Sequence, residues 1–181
     1  MPSRKMKSKI CLVGENAVGK TSLIKRFVLD IFDDSYITTI GTKVSKRSAT
    51  LDVGGEKIDV DMMIWDIMGQ SSFRSLLRDA YFHGANGTIA VCDVTRLETL
   101  KAIDDWVAEM RAVTGEIPLV ILANKSDLKD QSRMTEAALS ACAKKYETKF
   151  YYSSAKTGAN VTEAFETMGK AALEQQLESG E

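Results

Sequence analysis

Gly14-Glu15-Asn16-Ala17-Val18-Gly19-Lys20-Thr21 stands between a short apolar run, Ile10 to Val13, and a stretch in which Leu23, Ile24, Phe27 and Val28 recur at helical spacing. The stretch fits G-x-x-x-x-G-K-[ST] in the strand-loop-helix setting that motif requires. Its chemistry follows from the residue types. Glycines let the loop curl until successive backbone N–H groups converge on a phosphate, and the helix start adds positive potential. Lys20 reaches the outer phosphates, and the Thr21 hydroxyl is a hard oxygen suited to Mg²⁺.

Outward from this loop, short β-rich runs alternate with helical stripes. The strands expected are Ile10 to Val13, Gly87 to Asp93, Leu119 to Asn124 and Lys149 to Ser153. Leu100, Ile103, Trp106, Val107, Met110 and Val113 mark one helix, and Phe165, Met168, Ala172 and Leu177 a last one. Ala49, Leu51 and Val53, then Gly54-Gly55, then Ile58, Val60, Met62 and Ile64 alternate apolar with polar, which predicts a hairpin closed by a primed turn. The fold class is therefore α/β, three layers around a six-stranded, mostly parallel sheet with one antiparallel edge strand. A core domain is expected over residues 10–177, with a basic flexible tail over 1–9 carrying Arg4, Lys5, Lys7 and Lys9, and a tail over 178–181.

Composition narrows the function. At 181 residues and 19.9 kDa the chain suits one domain. Twenty-four Lys plus Arg against twenty-five Asp plus Glu leave a net charge of -1, so no global field draws the protein to nucleic acid or to an anionic membrane. No apolar run is long enough to span a bilayer, which points to a cytoplasmic protein. Cys11, Cys92 and Cys142 lie singly in apolar surroundings, as reduced core thiols do, and the single histidine, His83, has no partner for a metal or an acyl-transfer triad.

Asp66, in Trp65-Asp66-Ile67-Met68-Gly69-Gln70, ends the return strand of the hairpin and can hold Mg²⁺ opposite Thr21. Gly69 lets a backbone N–H approach a terminal phosphate, and the Gln70 amide both donates and accepts, as a group orienting a water must. Asn124-Lys125-Ser126-Asp127 closes another strand. A guanine edge presents N1–H and N2–H₂ side by side, which one carboxylate, Asp127, accepts together, whereas adenine offers a lone pair at N1. Ser153-Ser154-Ala155-Lys156 ends the last strand, within reach of the base carbonyl.

Taken together, these stretches resemble the Ras superfamily of small GTPases, most closely its Rab-like branch, over residues 10 to 175. The resemblance implies the three-layer P-loop NTPase fold with about five helices. It implies binding of GTP or GDP with Mg²⁺ by Gly14, Asn16, Ala17, Val18, Gly19, Lys20, Thr21, Ser22, Phe32, Tyr36, Thr39, Gly69, Asn124, Lys125, Asp127, Ser154, Ala155 and Lys156. Thr21, Thr39 and Asp66 are its implied metal residues, and Gln70, Lys20 and Thr39 its catalytic ones. The first switch falls on Phe32 to Gly41, and the second begins at Trp65. Residues around Ile40, Gly41, Ile67 and Met68 then bind effectors, an exchange factor and a GTPase-activating protein, with membrane trafficking as the setting.

The match departs from the Rab pattern at Ile67, Met68 and Ser71, at Val44 where an aromatic is common, and at Asn16 in the phosphate loop. Ile67 and Met68 fit a partner surface or inward packing equally. The sequence ends Leu177-Glu-Ser-Gly-Glu181 with its last cysteine at Cys142, and Pro2 follows Met1, so no direct lipid anchor is expected and any membrane is reached through partners. A monomer is expected. From Phe27 to Thr42 there is no Lys or Arg, so hydrolysis is expected to be slow and to need an arginine from another protein. Two other readings stand: an interaction module with negligible hydrolysis, and a P-loop kinase or ATPase. The eight arginines are scattered, which counts against the second.

Overall fold

The computed structural model describes residues 4–35 and 41–180, and of residues 71–74 the backbone alone. The chain alternates strand and helix: β1 (Arg4–Val13), α1 (Lys20–Leu29), β2 (Thr42–Val53), β3 (Glu56–Ile67), α2 (Ser71–Phe82), β4 (Gly87–Asp93), α3 (Leu97–Lys101), α4 (Ile103–Thr114), β5 (Leu119–Asn124), α5 (Glu136–Lys145), β6 (Lys149–Tyr152) and α6 (Val161–Ser179). Only Ala102 separates α3 from α4, so the two make one broken helix.

The sheet order is β2-β3-β1-β4-β5-β6. Every neighbouring pair is parallel except β2 with β3. Gly54 (φ 61°) and Gly55 (φ 87°) both hold the left-handed backbone that the tight turn between those two strands demands. β1 lies between β3 and β4, so the chain winds away from it in both directions, and a crevice opens at the carboxyl ends of the strands.

Alternation along β1 divides the interior. Ile10 and Leu12 face a cluster with Leu23, Phe27, Phe165 and Met168 of α1 and α6. Cys11 and Val13 face the opposite cluster with Phe82, Trp106, Met110 and Leu139 of α2, α4 and α5. The result is the three-layer sandwich expected.

Two boundaries differ from the sequence reading. The stretch expected to be a basic tail is a strand from Arg4 onward, in register with β3 from Arg4↔Ile58 to Leu12↔Asp66. Lysines are compatible with it because they alternate: Met6 and Ser8 turn toward the α6 side, while Lys5, Lys7 and Lys9 share the other face. Lys9 Nζ sits 3.7 Å from the centroid of the Trp65 ring and donates to the His83 carbonyl at 2.8 Å. At the other end α6 runs on to Ser179, taking in part of the expected terminal tail.

Candidate functional site

The loop after β1 is built on backbone that side chains oppose. Gly14 has φ 145° and Gly19 φ 102°. A Cβ on Gly14 would lie 2.3 Å from the Val91 carbonyl oxygen, and one on Gly19 2.3 Å from Asn124 Nδ2. Lys20, the first residue of α1, is buried and donates from Nζ to the carbonyls of Gly14 (2.6 Å) and Glu15 (2.9 Å). The loop therefore coils around its own lysine. Burial lowers the Lys20 ammonium to about 8, against the opposing pull of the Asp66 and Glu15 carboxylates.

Thr21 Oγ1, one residue on, donates to Asp66 Oδ2. Asp66 is buried near the end of β3, and its other oxygen, Oδ1, has no hydrogen-bond partner among the described residues. Burial raises the Asp66 carboxyl, although the Thr21 bond and Lys20, Lys43 and Lys25 pull it down. A buried carboxylate with a spare oxygen beside a hydroxyl is a hard-oxygen pair, and the residues fit Mg²⁺. Gly69 rests against the loop after β1 so closely that a Cβ would lie 2.6 Å from Asn16 N. Gln70 follows as the extended cap of α2. Ile67 and Met68 pack inward rather than toward solvent.

At the other end of the crevice Asn124 is buried at the tip of β5, donating from Nδ2 to the Val18 carbonyl at 2.9 Å and accepting from Ser153 Oγ at 3.2 Å. It ties the loop after β1 to the loop after β6. Asp127 accepts from Ser154 Oγ at 2.7 Å, and that hydroxyl in turn accepts from Thr157 N at 3.1 Å. Arg26 of α1 fastens the same loop, donating from Nε to Ala155 O (2.8 Å) and from Nη2 to Lys156 O (2.7 Å).

A single cavity of about 480 Å³ joins the two ends, within the range of small-molecule sites. Asn16, Ala17, Gly19, Lys20, Thr21, Ser22 and Gly69 line it on the loop side, and Phe32, Asn124, Lys125, Asp127, Ala155 and Lys156 on the other. Gly14, Val18 and Ser154 stand behind that wall as supports. Gln70 and Asp66 do not line it either. Tyr36 and Thr39 lie outside the described residues. Lys25, Asp33, Asp34, Ser35 and Leu128 also line the cavity, and the sequence reading did not single them out. Lys25 had one signal: it sits four residues after Thr21, on the same face of α1.

The family model described as Ras family matches residues 9–174. The chain belongs to the Ras family. This Ras-family chain is 35% identical over 159 residues to GTP-binding protein ypt4 of Schizosaccharomyces pombe, covering 87% of this chain and 68% of that protein. It is 36% identical over 163 residues to human Ras-related protein Rab-8B (90% and 76% covered) and 34% identical over 173 residues to bovine Ras-related protein Rab-13 (95% and 81%). It is a Rab-like small GTPase, and the six-stranded sheet with one antiparallel pair is the fold of that family.

Proposed function

We propose that this chain is a guanine-nucleotide switch that binds GTP and GDP with Mg²⁺, hydrolyses GTP slowly to GDP and phosphate, and changes the conformation of two switch segments to control partner binding. One observation carries the reading: a single cavity has the lysine-centred loop at one end and the Asp127 carboxylate at the other. The loop amides and Lys20 suit a phosphate chain, and Asp127, held by Ser154, suits the paired donors of guanine.

Thr21, Asp66 and Thr39 would hold Mg²⁺, which neutralises charge on the phosphates. Phosphoryl transfer asks of the protein chiefly positioning and electrostatic stabilisation. Lys20 and the amides of the loop fix the phosphates, Gln70 orients the attacking water, and Thr39 and Gly69 offer their N–H groups to the terminal phosphate. Loss of that phosphate releases both N–H groups and, with them, both switch segments. An arginine delivered by an activating protein contributes about 10³ to 10⁵ in rate in this class.

The partners proposed are a GTPase-activating protein, an exchange factor and effectors, met by a monomeric, cytoplasmic protein that reaches a membrane through them. Exposed Val44 on β2 and exposed Leu76 on α2 give the switch surfaces apolar side chains to present, while Ile67 and Met68 are turned inward in this conformation. No helix among the described residues is long and apolar enough to cross a membrane.

The test is direct. Denaturing the purified protein and separating what it releases is expected to yield GDP or GTP, and release of adenine nucleotide alone would overturn the reading. Single-turnover phosphate release from loaded GTP then separates a slow hydrolase from an interaction module without turnover. Unaided turnover at several per second would contradict the slow step.

A further inference from the structure

Two non-glycine residues in the cavity wall hold left-handed backbone, Ala17 (φ 62°) in the phosphate loop and Lys125 (φ 64°) in the base-side loop. Such residues stay there only when their surroundings over-determine them. One buried carboxylate reaches toward both. Asp93, at the end of β4 and 1% exposed, pairs through Oδ2 with Lys125 Nζ at 2.8 Å and with Arg96 Nε at 3.2 Å. Arg96 Nη2 goes on to the Asn16 carbonyl at 2.7 Å, the peptide that leads into Ala17.

The carboxylate is itself fixed. Its other oxygen accepts from Thr95 N at 2.9 Å and from Thr95 Oγ1 at 2.7 Å. Thr99 Oγ1 accepts from Asp93 N at 2.9 Å and donates to Arg96 O at 2.7 Å, so the corner that carries both residues is braced from α3. Burial alone would raise the Asp93 carboxyl, but Lys125 and the two Thr95 donors outweigh it and hold it below the ordinary carboxylate range. Neither Asp93 nor Arg96 lines the cavity.

We propose that Asp93 and Arg96 are positioning residues for the nucleotide: the Asp93 carboxylate, shared between Lys125 and Arg96, holds the phosphate loop and the base-side loop at the spacing one nucleotide spans and so slows its release. The inference rests on the guanine-nucleotide reading above and adds to it a clamp lying behind the wall of the site. A salt bridge that served stability alone would need only the Asp93–Arg96 contact. The second nitrogen on Asn16 O is what links that pair to the loop.

The experiment measures release of fluorescent N-methylanthraniloyl-GDP from full-length protein, chased with excess GDP, beside the thermal midpoint of each variant. If the wild-type protein fails to bind the probe, the nucleotide reading itself falls. If it binds, Asp93→Asn, which leaves two cations without their carboxylate, is expected to release it about 10-fold or more faster. Arg96→Lys separates the roles, because one ammonium reaches Asp93 but cannot also reach Asn16 O. It is expected to keep the wild-type midpoint yet release the probe about 3- to 10-fold faster. Arg96→Met, at a partly exposed position, keeps the test open should Asp93→Asn not fold. The double variant Asp93→Asn/Arg96→Met is expected to release the probe well below the product of the single accelerations, as residues acting through one contact do. Wild-type release in Arg96→Lys and Arg96→Met, or fully multiplicative rates in the double variant, would overturn the proposal.

Discussion

Asp127 and Lys20 sit at opposite ends of one cavity, and each makes a prediction of its own. Asp127→Ala removes the acceptor proposed for guanine and leaves Ser154 Oγ without its 2.7 Å partner, so GDP affinity is expected to fall about 100-fold or more, with the preference over ADP gone. Competition titration with both nucleotides checks it. Lys20 predicts a pH dependence. Its ammonium stands at about 8 because it is buried, and bound phosphates favour the charged form, raising it. Below about 8 the lysine is already charged and binding takes up no proton. Above that, binding must, so affinity is expected to decline with rising pH by up to about tenfold per unit, toward the raised value in the complex. Titrations between neutral pH and about 9, with Lys20→Arg as the variant that stays charged throughout, test the slope. Lys20, Thr21, Asp66 and Asp127 were legible in the sequence because each belongs to a short motif whose chemistry is local. Asp93 and Arg96 were not: an aspartate ending a strand and an arginine in a loop mean nothing until β4 is laid beside β5 with Asp93 opposite Asn124.

Helix α1 connects the two halves of the site. It begins on Lys20 and Thr21, and in its last turn Arg26 grips the carbonyls of Ala155 and Lys156, with Asp30 bracing the guanidinium at 3.1 Å. Its seat is the stack of Phe27 on Phe165 of α6, ring centroids 4.3 Å apart and 5° from parallel. Phe165→Ala is expected to cost about 3 to 5 kcal/mol of stability, read from urea unfolding, because the cavity it leaves lies beneath the helix that carries Lys20 and Thr21. Gly14→Ala acts at the preceding turn. A Cβ there meets the Val91 carbonyl oxygen at 2.3 Å and the φ of 145° is itself unfavourable, so a loss of about 2 kcal/mol or more and of nucleotide retention is expected in thermal and dissociation measurements. The hairpin, the strands β4 and β5 and the helix carrying Trp106 were readable from period and turn residues. Helices α2 and α5 were not read. Thr135 does cap α5, accepting from Ala138 N at 3.1 Å, but that helix buries only Leu139 and Ala143 and so offers a faint stripe.

Two apolar layers, one on each face of the sheet, account for the chain as a whole, and the thiols report on them. Cys11 and Cys92 are fully buried and pushed up to about 12, while Cys142 on α5 is half-buried, its thiol also raised by burial. A thiol reagent at mildly alkaline pH is therefore expected to modify Cys142 well before the other two in the native protein and all three in denaturant; rapid modification of Cys11 or Cys92 in the native state would contradict the packing. Expectation and structure part at β1, where residues 4–9 carry too many lysines to look like a strand by themselves but gain a full-length parallel partner in β3. At Ile67 and Met68 the sequence left a partner surface and inward packing equally open, and the structure turns both inward, which no local pattern dictates. By itself the sequence determined the family, the alternation of strand and helix, the hairpin and the residues that suit phosphates and guanine, because those depend on spacing along one segment and on chemistry carried by single side chains. Only the tertiary structure decided where β1 begins, which way Ile67 and Met68 turn and that one carboxylate contacts two loops, because each depends on a partner dozens of residues away whose distance no local pattern encodes.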